Sequence, residues 1–268
     1  MKKEIYLVAF LLFEIVCFGQ FGIEKQTRQI VEEGKKLYKS EMASWYGTDL
    51  FLEKSTNKSN IGGYFSYSDE EITKCVFFSK GEKPMVIGTM SFNDSFNIET
   101  AKIDLKERIF TKIELELYEI RTKALQVIDS DTIFKFYKNT NLNLIPVISN
   151  KEKKVYVLTG PQKSGVVIFG NDYLLTFDKK NNLINKKQLH KNIIVTEYGK
   201  KTEDGHTIIG GMHTHLPETG DFITATDICT LMLYGKLAEW ESYTVVSENY
   251  ISTWDCEKDE LIVVPKEK

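Results

Sequence analysis

A chain of 268 residues with 42% hydrophobic and 27% charged residues can build a real core, in one large domain or two small ones. Its 35 basic and 38 acidic residues leave a net charge of −3, which argues against nucleic acid as a partner because no cationic excess is present to neutralise phosphates. Four cysteines without a CxxC pair give no sign of a thioredoxin-like motif or a thiolate zinc site.

The chain opens with Lys2-Lys3, then an apolar run from Ile5 to Phe18, with small residues at Cys17 and Gly19. A short positive start, an apolar run below the ~20 residues of a membrane span and small residues before a cut are the marks of a secretory signal. Residues 1–19 are therefore expected to be a signal peptide, cleaved after Gly19 or Gln20. The mature chain is expected to be exported, periplasmic or secreted, with no transmembrane segment. A lipid anchor on Cys17 is disfavoured, because Glu14-Ile15-Val16 lacks the small residues such an anchor needs. Of the remaining cysteines, Cys75, Cys229 and Cys256, at most two can pair.

Helical periodicity of Ile30, Gly34, Leu37, Tyr38, Met42 and Trp45 predicts a helix over 24–45. Short β-forming runs follow at 64–67, 74–78 and 85–90, separated by turn-like segments at 69–71 and 80–84. The aromatic residues here, Trp45, Tyr46, Tyr64, Phe65, Phe77 and Phe78, are expected in the core. A second helix is predicted over 112–129, with Ile113, Leu117, Ile120, Ala124 and Val127 on one face. From about Asn141 the pattern predicts a β-meander with strands at 144–148, 155–158, 166–169 and 173–177. The lysines of 179–201 alternate with Asn and apolar residues, as on a solvated hairpin edge. Last come an apolar stretch at 208–212, a helix over 225–239 and strands at 243–247 and 250–254. The expected fold class is α+β, with mixed and antiparallel sheets and a few flanking helices. A soft boundary near 138–142 separates an N-terminal α+β region, 20–140, from a C-terminal α+β domain, 141–268.

Two of the four histidines form His213-Thr214-His215. Side chains at i and i+2 on a strand point to one face, so two imidazoles can hold one metal ion. Twelve residues after His215 lies Asp227; Thr224 before it suits a helix N-cap, which puts Asp227 at the third helical position, a capping-box spacing. A carboxylate there is also kept ionised by the helix dipole. Two histidines and one carboxylate leave a coordination position for water, as a catalytic zinc requires. Asp221 is an alternative third ligand. His190 and His206 are expected to be exposed polar residues.

His213-Thr214-His215-Leu216-Pro217 followed by Thr224-Ala225-Thr226-Asp227-Ile228 resembles the JAMM metalloproteases, which carry His-x-His-Pro and then Ser-x-x-Asp opening a helix. The resemblance spans residues 205–255, and the helix and two strands after Asp227 also fit it. It implies a JAMM-like C-terminal half, with zinc on His213, His215 and Asp227. It also implies a polar role for Thr224 beside a scissile carbonyl, and an upstream glutamate as general base. The sequence departs from the family at three points. One extra residue follows His215, Thr replaces Ser, and no glutamate maps cleanly. Glu197 is the nearest upstream candidate and Glu218, in the loop, the other. Amidohydrolase barrels and cupins also use HxH, but too little chain follows His215 for the first and no later histidine serves the second.

Two functions are carried forward. One is an exported zinc-dependent hydrolase of amide or isopeptide bonds, acting on extracytoplasmic peptides or proteins. The other is a non-catalytic exported binding protein with a degenerate JAMM-like domain.

Overall fold

A computed structural model describes residues 2–149, 152–201 and 203–267. Of residues 2–21 it gives the helical backbone alone, so the side chains of the expected signal segment lie outside the described residues. No helix among the described residues is long and apolar enough to cross a membrane.

Helix α1 runs from Lys2 to Lys54 and is longer than the predicted 24–45. Its buried stripe, Gly34, Leu37, Ser40, Ala43, Gly47, Leu50 and Phe51, recurs at three- and four-residue intervals past the point where the sequence pattern stops. Trp45, expected in the core, is 48% exposed and leans on the ring of Tyr234. It lies off the buried stripe.

The N-terminal sheet is antiparallel, in the order β1 (Ile61–Asp69), β2 (Ile72–Ser79), β3 (Val86–Phe92) and β4 (Lys102–Asp104). One face packs on α1 through Phe51, which stacks on Phe77 at 4.0 Å. Helix α2 (Lys112–Ser130) is fixed at its start by the Thr111/Glu114 capping box. It buries Leu117, Ile120, Ala124 and Ile128, while Ile113 of the expected stripe is exposed.

The predicted meander is broken by one strand. β5 (Thr140–Ser149), β6 (Glu152–Pro161), β8 (Tyr173–Phe177) and β9 (Leu183–Gln188) form one antiparallel sheet. β7 (Val166–Gly170) instead pairs with β10 (Ile193–Glu197). Two successive left-handed residues, Gly170 (φ 77°) and Asn171 (φ 51°), turn the chain between β7 and β8. A side chain at Gly170 would be strained there and would also collide with the Asn192 carbonyl. Asn171 is fully buried, and its amide bonds to Lys135 O, Thr159 Oγ1 and the Tyr173 hydroxyl. As expected, the lysines of 186–187 lie exposed on the outer strand of the sheet, β9.

The C-terminal unit is mixed. β11 (Gly210–Thr214) pairs parallel with β12 (Ser242–Val246), followed antiparallel by β13 (Tyr250–Asp255) and β14 (Glu260–Pro265). The parallel crossover carries α3 (Ala225–Tyr234), which is shorter than the predicted 225–239 because the chain leaves the helix at Gly235. α3 crosses α1 where Gly34 faces Ile228; a β-carbon at 34 would lie 2.7 Å from its side chain. Val167, Phe169, Ile228, Leu231, Trp240, Tyr243 and Trp254 form the core between β7, α3 and this sheet. The α+β expectation holds throughout. Cys75, Cys229 and Cys256 are buried free thiols.

Candidate metal centre

β11 places His213 and His215 on one face, as their i, i+2 spacing requires. Gly210 and Gly211 just before them admit close neighbours. A β-carbon at 210 would collide with the Ser242 carbonyl, and one at 211 would lie 2.8 Å from the Tyr243 ring. That ring packs on Phe169 at 4.6 Å, and its hydroxyl stands 3.3 Å from His213 Nδ1. The chain after His215 returns through a loop in which the Phe222 carbonyl accepts from His215 Nδ1 at 3.0 Å.

The loop ends at Thr224, the N-cap of α3, in the predicted capping box with Asp227. Thr224 donates from its backbone nitrogen (3.0 Å) and its hydroxyl (2.7 Å) to Asp227 Oδ2, and Asp227 N donates back to Thr224 Oγ1. Capping and ligand orientation are thus one arrangement: the bonds that close the helix end also aim the carboxylate at the histidines. Oδ2 lies 3.2 Å from His215 Nε2, and Oδ1 lies 3.7 Å from His213 Nε2.

A third histidine joins them, against expectation. His190, expected to be exposed, is buried with its Nε2 2.9 Å from His215 Nε2 and 3.6 Å from Asp227 Oδ2. It follows β9, and Asp172 precedes β8. Because Tyr173 pairs with Gln188 in this hairpin, the two residues emerge side by side. Asp172 Oδ1 accepts from His190 Nδ1 at 2.6 Å, and Asp172 Oδ2 accepts from the Thr226 hydroxyl. The signal that could have found this pair was the turn at 179–182. Folding a hairpin about that turn sets residue 172 opposite 189.

His190, His213, His215 and Asp227 each offer a ligand atom within 4.8 Å of the others, and all four are buried. The group could hold a metal ion. The partners on Nδ1 fix the chemistry. A carboxylate and a carbonyl can only accept, so His190 and His215 carry hydrogen on Nδ1, and in the neutral form each ring has its lone pair on Nε2. Those lone pairs face each other at 2.9 Å, with His213 Nε2 3.1 Å from His215 Nε2. A tetrahedral ion with ligand bonds near 2.05 Å spaces its ligands about 3.3 Å apart. Five of the six separations, 2.9 to 3.7 Å, bracket that value, and all six lie within 4.8 Å. Imidazole nitrogens with one carboxylate suit zinc and other divalent transition metals.

Electrostatics points the same way. Burial opposes charge on His190, but the Asp227 and Asp172 carboxylates outweigh it and raise its pKa to about 11. Burial would raise the Asp227 carboxyl, yet His190 and His213 hold it well below the usual range. His213 is lowered by burial, aided by its two histidine neighbours against Asp227. The pocket is built to attract one positive charge or more.

The other predicted residues lie elsewhere. Glu197 ends β10, exposed and paired with Lys200. Glu218 is exposed in the loop and paired with Lys191. Asp221 accepts from Asn249 at 3.0 Å. None of the three belongs to the four-residue group. His206 is exposed, as expected. Beside the centre lies a cleft of about 460 Å³, walled by His190, Asn192, Ile194, Met212, His213 and Leu216.

No protein-family model, no curated protein and no solved structure matches this chain, and nothing in these comparisons identifies a JAMM domain.

Proposed function

We propose that the chain is an exported zinc-binding protein whose centre is closed by four of its own ligands, His190, His213, His215 and Asp227. The ion then serves architecture, and the neighbouring cleft takes up a peptide or protein segment without cleaving it. The observation that carries this reading is His190. A hydrolytic zinc keeps one position for water, whereas structural zinc is ringed by four protein ligands. His190 Nε2 takes the fourth place, as near to His215 as His213 is. The carboxylates expected to act as base point the same way, since both are engaged with surface lysines.

A second reading is a zinc-dependent amide hydrolase, favoured by the cleft against His190 and His213. There zinc would polarise a carbonyl, His190 would swing off the ion, and its bond to Asp172 would fit it to carry a proton.

Metal analysis and peptidase assays on the purified protein separate the two. One zinc per chain, lost in a His213→Ala plus His215→Ala variant, with no cleavage of peptide or isopeptide substrates, is the expected result. Absence of stoichiometric zinc overturns both readings. Zinc-dependent cleavage, abolished by His190→Ala, establishes the second.

A further inference from the structure

Resting on that reading of the centre, we infer that Asp172 is the positioning residue that commits His190 to the metal, so that the ion clamps the β8–β9 hairpin to the C-terminal unit. His213, His215 and Asp227 come from one short stretch of the C-terminal unit: β11, the residue just after it, and α3. His190 follows β9 of a different sheet, and the contact that orients its ring from the Nδ1 side is Asp172. The pairing of β8 with β9 continues through Leu189 N to Asp172 O at 2.8 Å, which sets the carboxylate beside the imidazole. Oδ1 accepts a hydrogen bond from Nδ1–H, which holds the proton on Nδ1 and leaves the Nε2 lone pair of the neutral ring facing the other ligands. A carboxylate behind a ligating histidine also raises its basicity and orients its ring.

Asp172 is itself held. It is 3% exposed, and Oδ2 accepts from Thr226, the residue just before the ligand Asp227. Thr226 Oγ1 lies 2.9 Å from Thr224 Oγ1, which donates to Asp227. A continuous run of polar contacts therefore joins the fourth ligand to the carboxylate ligand behind the ion. Two sheets that pair with different strands meet at this run.

The test uses the full chain loaded with zinc, and with cobalt(II) as a spectroscopic substitute. Asp172→Ala and His190→Ala are each expected to weaken zinc binding about 10- to 100-fold. Both should change the cobalt spectrum alike, from four-coordinate towards a weaker, water-containing form. The double variant should bind no more weakly than either single one, because Asp172 acts only through His190. Asp172→Asn keeps an acceptor for Nδ1 and should restore binding to within a few-fold, which also serves if the alanine variant fails to fold. Asp172→Ala with wild-type affinity alongside a weakened His190→Ala overturns the inference, as do an Asp172→Asn loss as large as that of His190→Ala and losses that simply add. A wild-type protein that binds no zinc instead overturns the reading of the centre itself.

Discussion

His190 Nε2 and His215 Nε2 stand 2.9 Å apart, although each imidazole carries its hydrogen on the opposite nitrogen. Two lone pairs at that distance repel unless a cation lies between them. In the metal-free protein a proton on His190 fills the role, attracted by Asp227 and Asp172. A divalent ion would fill it better, because it could also engage His213 and the Asp227 carboxylate at once.

Zinc is therefore expected to stabilise the fold. At free zinc a thousandfold above its Kd, linkage gives about 4 kcal/mol. A strong chelator should lower the melting temperature of the wild type and leave that of His213→Ala plus His215→Ala unchanged. Equal melting with and without chelator would count against the centre.

Thr224 and Asp227 share the capping box but differ in their bearing on the metal. Thr224→Ala loses the cap hydroxyl and should cost about 1 kcal/mol in a denaturant titration, with zinc still bound in stoichiometric amount. Thr224→Ser should behave as wild type. Asp227→Asn should lose most of the zinc, since it removes the one anionic ligand. Equal metal loss in Thr224→Ala would make the hydroxyl more than an orienting group.

Glu197→Gln and Glu218→Gln are expected to leave zinc content unchanged and to shift stability by less than about 1 kcal/mol, the scale of an exposed ion pair. Should zinc-dependent cleavage be found, neither change should slow it. A large loss of rate in either variant would return that glutamate to the base role the sequence suggests.

Glu41 gives the fold a separate pH dependence. It is half-buried on α1, accepts from Asn143 Nδ2 at 2.8 Å, and burial raises its pKa from 4.5 to about 7 despite that bond. A carboxyl whose folded pKa is raised binds its proton more tightly in the folded chain. Its stabilising contribution is full below pH 4.5 and is lost as pH rises through 7. Glu41→Gln should gain melting temperature relative to wild type between pH 5 and 8. The difference between the two proteins is the quantity to measure, because it isolates Glu41 from every other titrating group. A constant difference across that range would remove Glu41 from the pH response.

Local pattern carried much of the fold. Periodicity located the cores of α1 and α2, and short runs of β-forming residues between turns located β1, β2, β3, β5, β6, β7 and β8. The spacing of Thr224 and Asp227 specified the cap that the structure contains. Short, charged strands escaped: β4 is exposed at all three positions, and β9 and β10 carry too few buried residues to show a period. Overlooking β9 had the largest consequence, because it hid the hairpin that sets His190 beside Asp172.

The sequence by itself determined the α+β class and three of the four residues of the centre, since His213, His215 and Asp227 declare themselves through short-range spacing. Only the tertiary structure decided the rest. His190 and Asp172 lie 18 residues apart and reach the site by strand pairing, a long-range relation that local periodicity does not encode. The left-handed turn at Gly170 and Asn171 sends β8 into a different sheet from β7, and the end of the β8–β9 hairpin meets β11 and α3 at the four residues. Whether the metal has three protein ligands or four is thus a property of how sheets dock, and it separates a centre open to water from one closed by its own protein.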